Sequence, residues 1–426
     1  MIKLGRSRAG LAGAFSSALV ALAACAAPGG VSRSAEIAAV PTAPSTAARS
    51  QAPVASPSPT PTPAPTPSRR ALGPGEGAVT VLTLRGYAEY GGSDPAFDWV
   101  GPFEDDTGCR VNLRFPQTGD QLDKLLAQTS YDVVSAPPEL AGRLIAERKV
   151  APLTTSLVPH YDDIPEWLRS QRSVVDGDKV YGVPYLWGSY VTLYDGATGR
   201  PAKGDALYSD PGPIMLRDSP LSIADAALAL RKRRPALGVK NPFELTPAQL
   251  DAAVALVGGR GHGARTYWKD PIDALQGFAG ASVRLGRALP YQLDILRRAG
   301  RPLKAVGGEP TTGWVDSWML SAQAAAPNCA YRWLDWISSP AAQQQAAAWN
   351  GLAPANPSAC GYRGDESRKY SHAERARRVC DAYRVKDKAW IKKISFAVRP
   401  ARDCGGGHGE CTDYAEWAAR WQQLVR

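Results

Sequence analysis

From Val79 onward, apolar runs of strand length alternate with amphipathic segments of helix length. This alternation restricts the folded part of the chain to an α/β architecture with mainly parallel strands. VTVLTL (Val79 to Leu84) reads as a buried strand. Asp94 and Pro95 offer a cap and a first-turn proline for a helix through Phe103, with Thr107 and Gly108 as its stop. RVNLRF then reads as a second strand, GDQLDKLLAQ as a helix and YDVVSA as a third strand. In such folds ligands bind beyond the carboxyl ends of the strands. Val79 to Arg426 is about 350 residues, more than one hydrophobic core organises, which implies two lobes.

A second lobe is expected after YGVPYLWGSYVTLYD (Tyr181 to Asp195). It holds a helix start at Ser219-Pro220, a helix opened by Thr246-Pro247 and closed by Gly258-Gly259, and a helix leading to Arg298. GGRGHG (Gly258 to Gly263) has the glycine content of a phosphate loop. It follows a helix rather than a strand and lacks the Lys-Ser/Thr of a P-loop, so it reads as a helix-end loop.

The first residues carry a different signal. Lys3, Arg6 and Arg8 precede an apolar run, Leu11 to Ala24, that is too short and too rich in Ala and Ser to span a bilayer. The run ends in Leu22-Ala23-Ala24-Cys25, which resembles a bacterial lipobox. That resemblance implies a signal peptide over 1–24 and a lipidated Cys25 as the first mature residue, anchoring the protein extracytoplasmically to the cell membrane. Residues 25–73 add a disordered linker dense in Pro, Ser and Thr, which reads as a tether or a glycosylated stalk. Fully extended, this segment reaches somewhat over ~100 Å. Removing Lys3, Arg6 and Arg8 lowers the net charge from +10 to +7. The basic runs RKRRP (Arg231 to Pro235) and RARR (Arg375 to Arg378) are interspersed and read as solvated faces, not a nucleic-acid groove.

Beyond Cys25, six cysteines remain: Cys109, Cys329, Cys360, Cys380, Cys404 and Cys411. An even count on an exported chain reads as disulfides. Cys404 and Cys411 enclose GGGHGE and offer a metal reading with His408, although a fourth ligand is missing. No G-x-S-x-G elbow or H-E-x-x-H pair occurs, and His160, His262, His372 and His408 are far apart in sequence. The expectation is a binding protein without catalysis, metal or cofactor, with a surface-anchored hydrolase as a lesser alternative.

Several runs, in order, resemble the polyamine-type (spermidine/putrescine) extracellular solute-binding proteins of ABC transporters. They are GYAEYGGSDPAFDWVGPFEDDTGCRVN from Gly86, YDVVSA from Tyr131, VYGVPYLWG from Val180, DSPLSIADAALAL from Asp218, LPYQLDILRRAG from Leu289, TGWVDSW from Thr312 and PNCAYRWLDWISSP from Pro327. The resemblance implies an α/β, two-lobe periplasmic-binding-protein fold with hinge crossovers near Gly188, Thr312 and Asn350. The first lobe would comprise 74–188 plus 313–350, and the second 189–312 plus 351–426. It further implies a monomeric receptor that delivers a small solute to ABC permease subunits; the alternative is a degenerate receptor serving as a surface sensor or scaffold. A ferric-ion receptor of the same fold would want clustered tyrosine phenolates and fits less well.

Carried over by position, the resemblance places Tyr87, Glu89 and Tyr90 after the first strand, Ser135 at the end of the third, and Trp187 and Tyr291 in later runs. Trp314 and Asp316 fall in the W-x-D-S run. A polyamine receptor needs carboxylates for ammonium groups and aromatic faces for methylenes and cations. With 12 tryptophans and 16 tyrosines against seven phenylalanines, the chain is biased toward aromatics with a polar handle. The departures are informative: where the family supplies two carboxylates at a helix start, this chain has Ser219 and Ser222, and where it supplies a second tryptophan, Leu289. Asp316, with Glu89 or Asp218, leaves too little negative charge for a tri- or tetracation. A smaller amine, a zwitterion or a neutral solute therefore becomes the expectation, a zwitterion resting its ammonium on Asp316 and its acid near Ser219. The implied topology also puts Cys109 and Cys329 in the first lobe and the other four cysteines in the second, pairing Cys109 with Cys329, Cys360 with Cys380 and Cys404 with Cys411.

Overall fold

The computed structural model describes residues 71–425 apart from 118, 129–130, 200–206, 260–263, 364–370 and 405–408. The signal peptide, Cys25, the linker as far as residue 70, most of GGRGHG and His408 lie outside the described residues; the last linker residues, 71–73, belong to the folded part, with Leu72 packed on the core and Gly73 hydrogen-bonded to Asn328 and Arg332.

The strands are β1 (Ala78–Leu82), β2 (Arg110–Arg114), β3 (Val133–Ala136), β4 (Val175–Asp176), β5 (Lys179–Val180), β6 (Gly182–Ser189), β7 (Val191–Asp195) and β8 (Ile214–Arg217). They continue with β9 (Arg265–Trp268), β10 (Leu285–Ala288), β11 (Leu303–Ala305), β12 (Thr311–Leu320), β13 (Ala353–Pro354) and β14 (Ile394–Phe396). A seven-stranded sheet runs β13-β6-β12-β3-β1-β2, with β14 paired to β12. A five-stranded sheet runs β11-β7-β10-β8-β9, and β4 and β5 form a separate ribbon. β1 pairs in parallel with β2 and β3, as the alternation predicts, whereas the central β12 is antiparallel to β3 and β6. All residues of β6 and nine of ten in β12 are buried, as expected of central strands covered on both faces, so the polar residues of β12 must find partners inside the protein.

Local signals placed several helix ends. Thr246 caps Pro247–Gly258 through a capping box with Gln249, with Pro247 in the first turn. Gly108, in the left-handed region at φ 68°, ends the helix Gly101–Thr107. The start of that helix differs from the expectation. Asp94 closes only a turn onto the Ala96 amide, whereas Asp98 accepts from the Val100 and Gly101 amides just before the helix.

The chain leaves the first sheet at Ser189 and enters the second at Val191, so Tyr190 is the first crossing. It returns between β11 and β12. The third crossing is not near Asn350. β13 stays in the first sheet by pairing with β6, and β14 extends it along β12. The chain passes over only beyond Ala397, toward the helix Tyr414–Val425, whose Trp417 and Trp421 join the second core. Residues 351–426 therefore do not form a block of the second lobe, because hydrogen-bond register with β6 and β12 holds their first part in the first sheet.

All three expected disulfides are present. Cys404 and Cys411 are bonded to each other, so their sulfurs are not thiolate ligands of a metal. Cys360 follows β13, and Cys380 lies on the helix Ser371–Tyr383, which packs against Pro340–Asn350 and Pro290–Arg298. This bridge belongs to the first-sheet side and its border, not wholly to the second lobe as expected.

Candidate functional site

The longest strand, β12, carries the polar centre of the molecule. Trp314 and Asp316 are two residues apart, so strand periodicity puts both side chains on one face. The Trp314 Nε1–H donates to Asp316 Oδ2 at 3.0 Å. The Tyr87 hydroxyl, arriving from the turn after β1, donates to the same oxygen. Beside Asp316 the β12–β6 register slips, leaving Tyr185 as an extra residue on β6. Tyr185 meets Tyr87 edge to face, and its hydroxyl donates to the Tyr87 carbonyl at 3.1 Å, which fixes the Tyr87 ring.

Space for the Trp314 indole is made by glycine. Gly188 pairs with Trp314 across the sheet, and a Cβ there would lie 2.3 Å from the Trp314 ring. The indole packs against both hydrophobic cores and stacks on Tyr190, the crossing residue, with centroids 5.0 Å apart and planes tilted by 33°.

From the second sheet comes Arg217, the last residue of β8. Its guanidinium lies 5.5 Å from the Trp314 ring centroid and 5.7 Å from that of Tyr190, and it donates to the Tyr190 hydroxyl. Ser219 and Ser222 stand immediately beyond. Ser219 Oγ accepts from the Leu221 amide, and the Ser222 hydroxyl donates to the Arg217 carbonyl at 2.9 Å. These bonds pin the strand end to the start of the helix Ile223–Arg233. The two sides meet around a cavity of about 20 Å³ lined by Arg217, Ser219, Ser222, Phe243, Trp314 and Ala397, among others. That is room for about one water.

Burial shapes the electrostatics. Asp316 is 3% exposed, and loss of water raises its carboxyl to about 7, against the opposing donations of Tyr87 and Trp314. Glu139 raises it further and Arg217 lowers it. Tyr87 is pushed up by burial and by Asp316, and Tyr190 rises to about 12 by burial, with Arg217 opposing. For Arg217, burial acts downward but Tyr190, Glu139 and Asp316 outweigh it, so the guanidinium stays charged.

Behind Tyr190 lies a buried hinge network. Arg287 pairs with Asp225 and reaches the Thr311 hydroxyl at 3.0 Å, and Thr312 donates to Asp225 at 2.6 Å. Thr311 also donates to the Tyr190 carbonyl at 2.8 Å. Two residues of β12 are thereby fastened to side chains of the second sheet's layer at the crossing.

Of the residues singled out in the sequence, Tyr87, Trp314, Asp316, Ser219 and Ser222 converge here. Glu89 is half-buried near Tyr185, with burial raising its carboxyl. The others lie elsewhere, for identifiable reasons. Tyr90 faces outward, donating to Glu104 and the Val111 carbonyl. Ser135 shares a hydrogen bond with Thr83 and accepts from the Leu84 amide, stitching β3 to the end of β1. Trp187 is fully buried among Trp167, Tyr383 and Phe396, its indole N–H on the Pro354 carbonyl. Tyr291 packs on Gly351. Asp218 is engaged by Trp421 and Lys269, and Leu289 is core. Arg217, Tyr190 and Glu139 were not anticipated. For Arg217 a signal existed: it ends a strand of an α/β sheet, where ligands bind.

A family model described as bacterial extracellular solute-binding protein matches residues 98–361. The putrescine/agmatine-binding protein of Pseudomonas aeruginosa is 26% identical over 133 residues, 30% of this chain and 36% of that relative. The match thus spans about a third of the relative's length. Among solved structures, the spermidine/putrescine ABC transporter substrate-binding protein PotD from Streptococcus pneumoniae aligns with a TM-score of 0.60 at 16% identity. That alignment covers 82% of this chain and 99% of the other. The Atu4243-GABA receptor aligns with a TM-score of 0.58 at 17% identity, over 82% and 98% of the two chains. At these identities the likeness is one of fold.

Proposed function

This chain belongs to the bacterial extracellular solute-binding protein family. From that premise we propose that it captures a small amine-bearing solute between its two sheets and delivers it to the permease of an ABC importer. The observation that carries this reading is the buried Asp316 flanked by Tyr87 and Trp314 at the crossing of the two sheets. A carboxylate set against an indole and a phenol suits an ammonium group, each aromatic face contributing about 0.5–2 kcal/mol. The putrescine/agmatine and spermidine/putrescine labels of the relatives agree with an amine, and the GABA label shows that a receptor of this fold holds a zwitterion. Because the cavity admits about one water, loading requires the sheets to part and close again about the three crossings.

In this reading the protein is a monomer anchored by lipid at Cys25, and residues 26–70 hold the folded part away from the membrane while letting it reach the permease. Isothermal titration of the detergent-solubilised full chain with diamines, ω-amino acids and betaines tests it. We expect saturable one-to-one binding of at least one amine, weakened at least tenfold by Asp316→Asn. Failure of every amine, or binding indifferent to Asp316, overturns the reading.

A further inference from the structure

Two arginines lie over the Tyr190 ring, and they differ in one respect. Arg287, 5.5 Å from the centroid, has its charge matched by Asp225. Arg217, at 5.7 Å, gives its one hydrogen bond to the Tyr190 hydroxyl and forms no ion pair among the described residues. Asp316 and Glu139 act on it only at longer range. A guanidinium carries five N–H donors in a planar fork matched to a carboxylate, and Arg217, partly buried at the wall of the small cavity, gives only one of them to a protein acceptor among the described residues. Arg217 and Asp316 meet the same indole, one over its face and the other at its N–H edge.

We propose that Arg217 sets the specificity of this cleft: the solute is a short amino carboxylate whose acid group is held by the Arg217 fork while its ammonium rests on Asp316, Tyr87 and Trp314. This rests on the solute-capture reading and narrows it to one chemical class. The geometry also works against diamines and polyamines. The aromatic pair that would receive a second ammonium is already covered by a fixed positive charge, and like charges forced together in a partly dry cleft repel strongly. The serines serve the same end by holding the β8 terminus, so the fork is presented in one orientation.

Titration of the full chain with four probes decides the matter: 4-aminobutanoate, 5-aminopentanoate, putrescine and spermidine. Wild type should bind at least one amino carboxylate about 100-fold or more tightly than either polyamine. Arg217→Gln should lose amino-carboxylate affinity by about 30-fold or more while its affinity for putrescine holds or rises, reversing the preference. Arg217→Lys keeps the charge without the fork. It should still reject polyamines yet bind the amino carboxylate about tenfold more weakly, and an unchanged thermal midpoint in either variant shows that the fold is intact. If wild type binds putrescine as tightly as the amino carboxylates, or if Arg217→Gln leaves the ratio between classes unchanged, the assignment of Arg217 fails while solute capture stands. If wild type binds none of the four, both fail together.

Discussion

Burial leaves Asp316 near 7, so at neutral pH this residue is divided between two protonation states. The groups facing it are Tyr87, Trp314, Arg217 and Glu139. A raised carboxyl favours folding in its protonated form. Its contribution is fully present below the ordinary 3.8 and is lost as pH rises through about 7. The difference in stability between wild type and Asp316→Asn should therefore shrink between about pH 4 and 7 and stay flat above, as followed by urea unfolding across that range. Binding of an ammonium runs the other way, because the cation requires the ionised carboxylate. Affinity for the solute should rise with pH up to about 7 and then level off, a trend that calorimetry would find absent in the asparagine variant.

The pairing of β6 with β12 is the element that builds the aromatic wall. Gly188 has an ordinary backbone conformation, so its role is space alone: the position opposite Trp314 cannot hold a methyl group unless the indole moves. Gly188→Ala should push Trp314 off its stack on Tyr190, shift tryptophan fluorescence and weaken solute binding about tenfold or more. Binding and emission equal to wild type would show that the stack is dispensable. The register slip next to Asp316 belongs to the same design. It puts Tyr185 where it can hold Tyr87, and without it the Tyr87 ring would lack its edge contact and its hydrogen-bonded backbone.

Over the whole molecule, covalent ties divide their labour by loop length. Cys109–Cys329 spans 220 residues and closes the first-sheet layer from the start of β2 to the helix Pro327–Ser338. Both sulfurs are buried in the core. Cys404–Cys411 spans only seven. Replacing the first pair by alanines should cost about 2–5 kcal/mol in urea unfolding, and replacing the last pair distinctly less. Equal losses would show that loop closure is not what the long bridge supplies. Among the described residues the first two crossings carry no disulfide and are held instead by the Arg287, Asp225, Thr311 and Thr312 hydrogen bonds, which can loosen and reform as the sheets part.

What the sequence determined by itself was local or cumulative. Strand and helix periodicity named the α/β class, the cap at Thr246 and the stop at Gly108 bounded helices, and the family resemblance singled out Trp314 and Asp316 in one short run. Family order supplied the disulfide pairs, each of which recurs in the structure. What tertiary structure decided depended on partners far along the chain. Tyr90, Trp187 and Tyr291 have the chemistry of a cleft but are consumed by Glu104, Pro354 and Gly351. The third crossing moved because β13 and β14 found hydrogen-bonding edges on β6 and β12. In sequence Arg217 carries only the general signal of a strand end in an α/β sheet. Only the folding of β8 against β12 sets it over Trp314 and Tyr190 without a carboxylate partner, because no local pattern encodes a contact between two sheets.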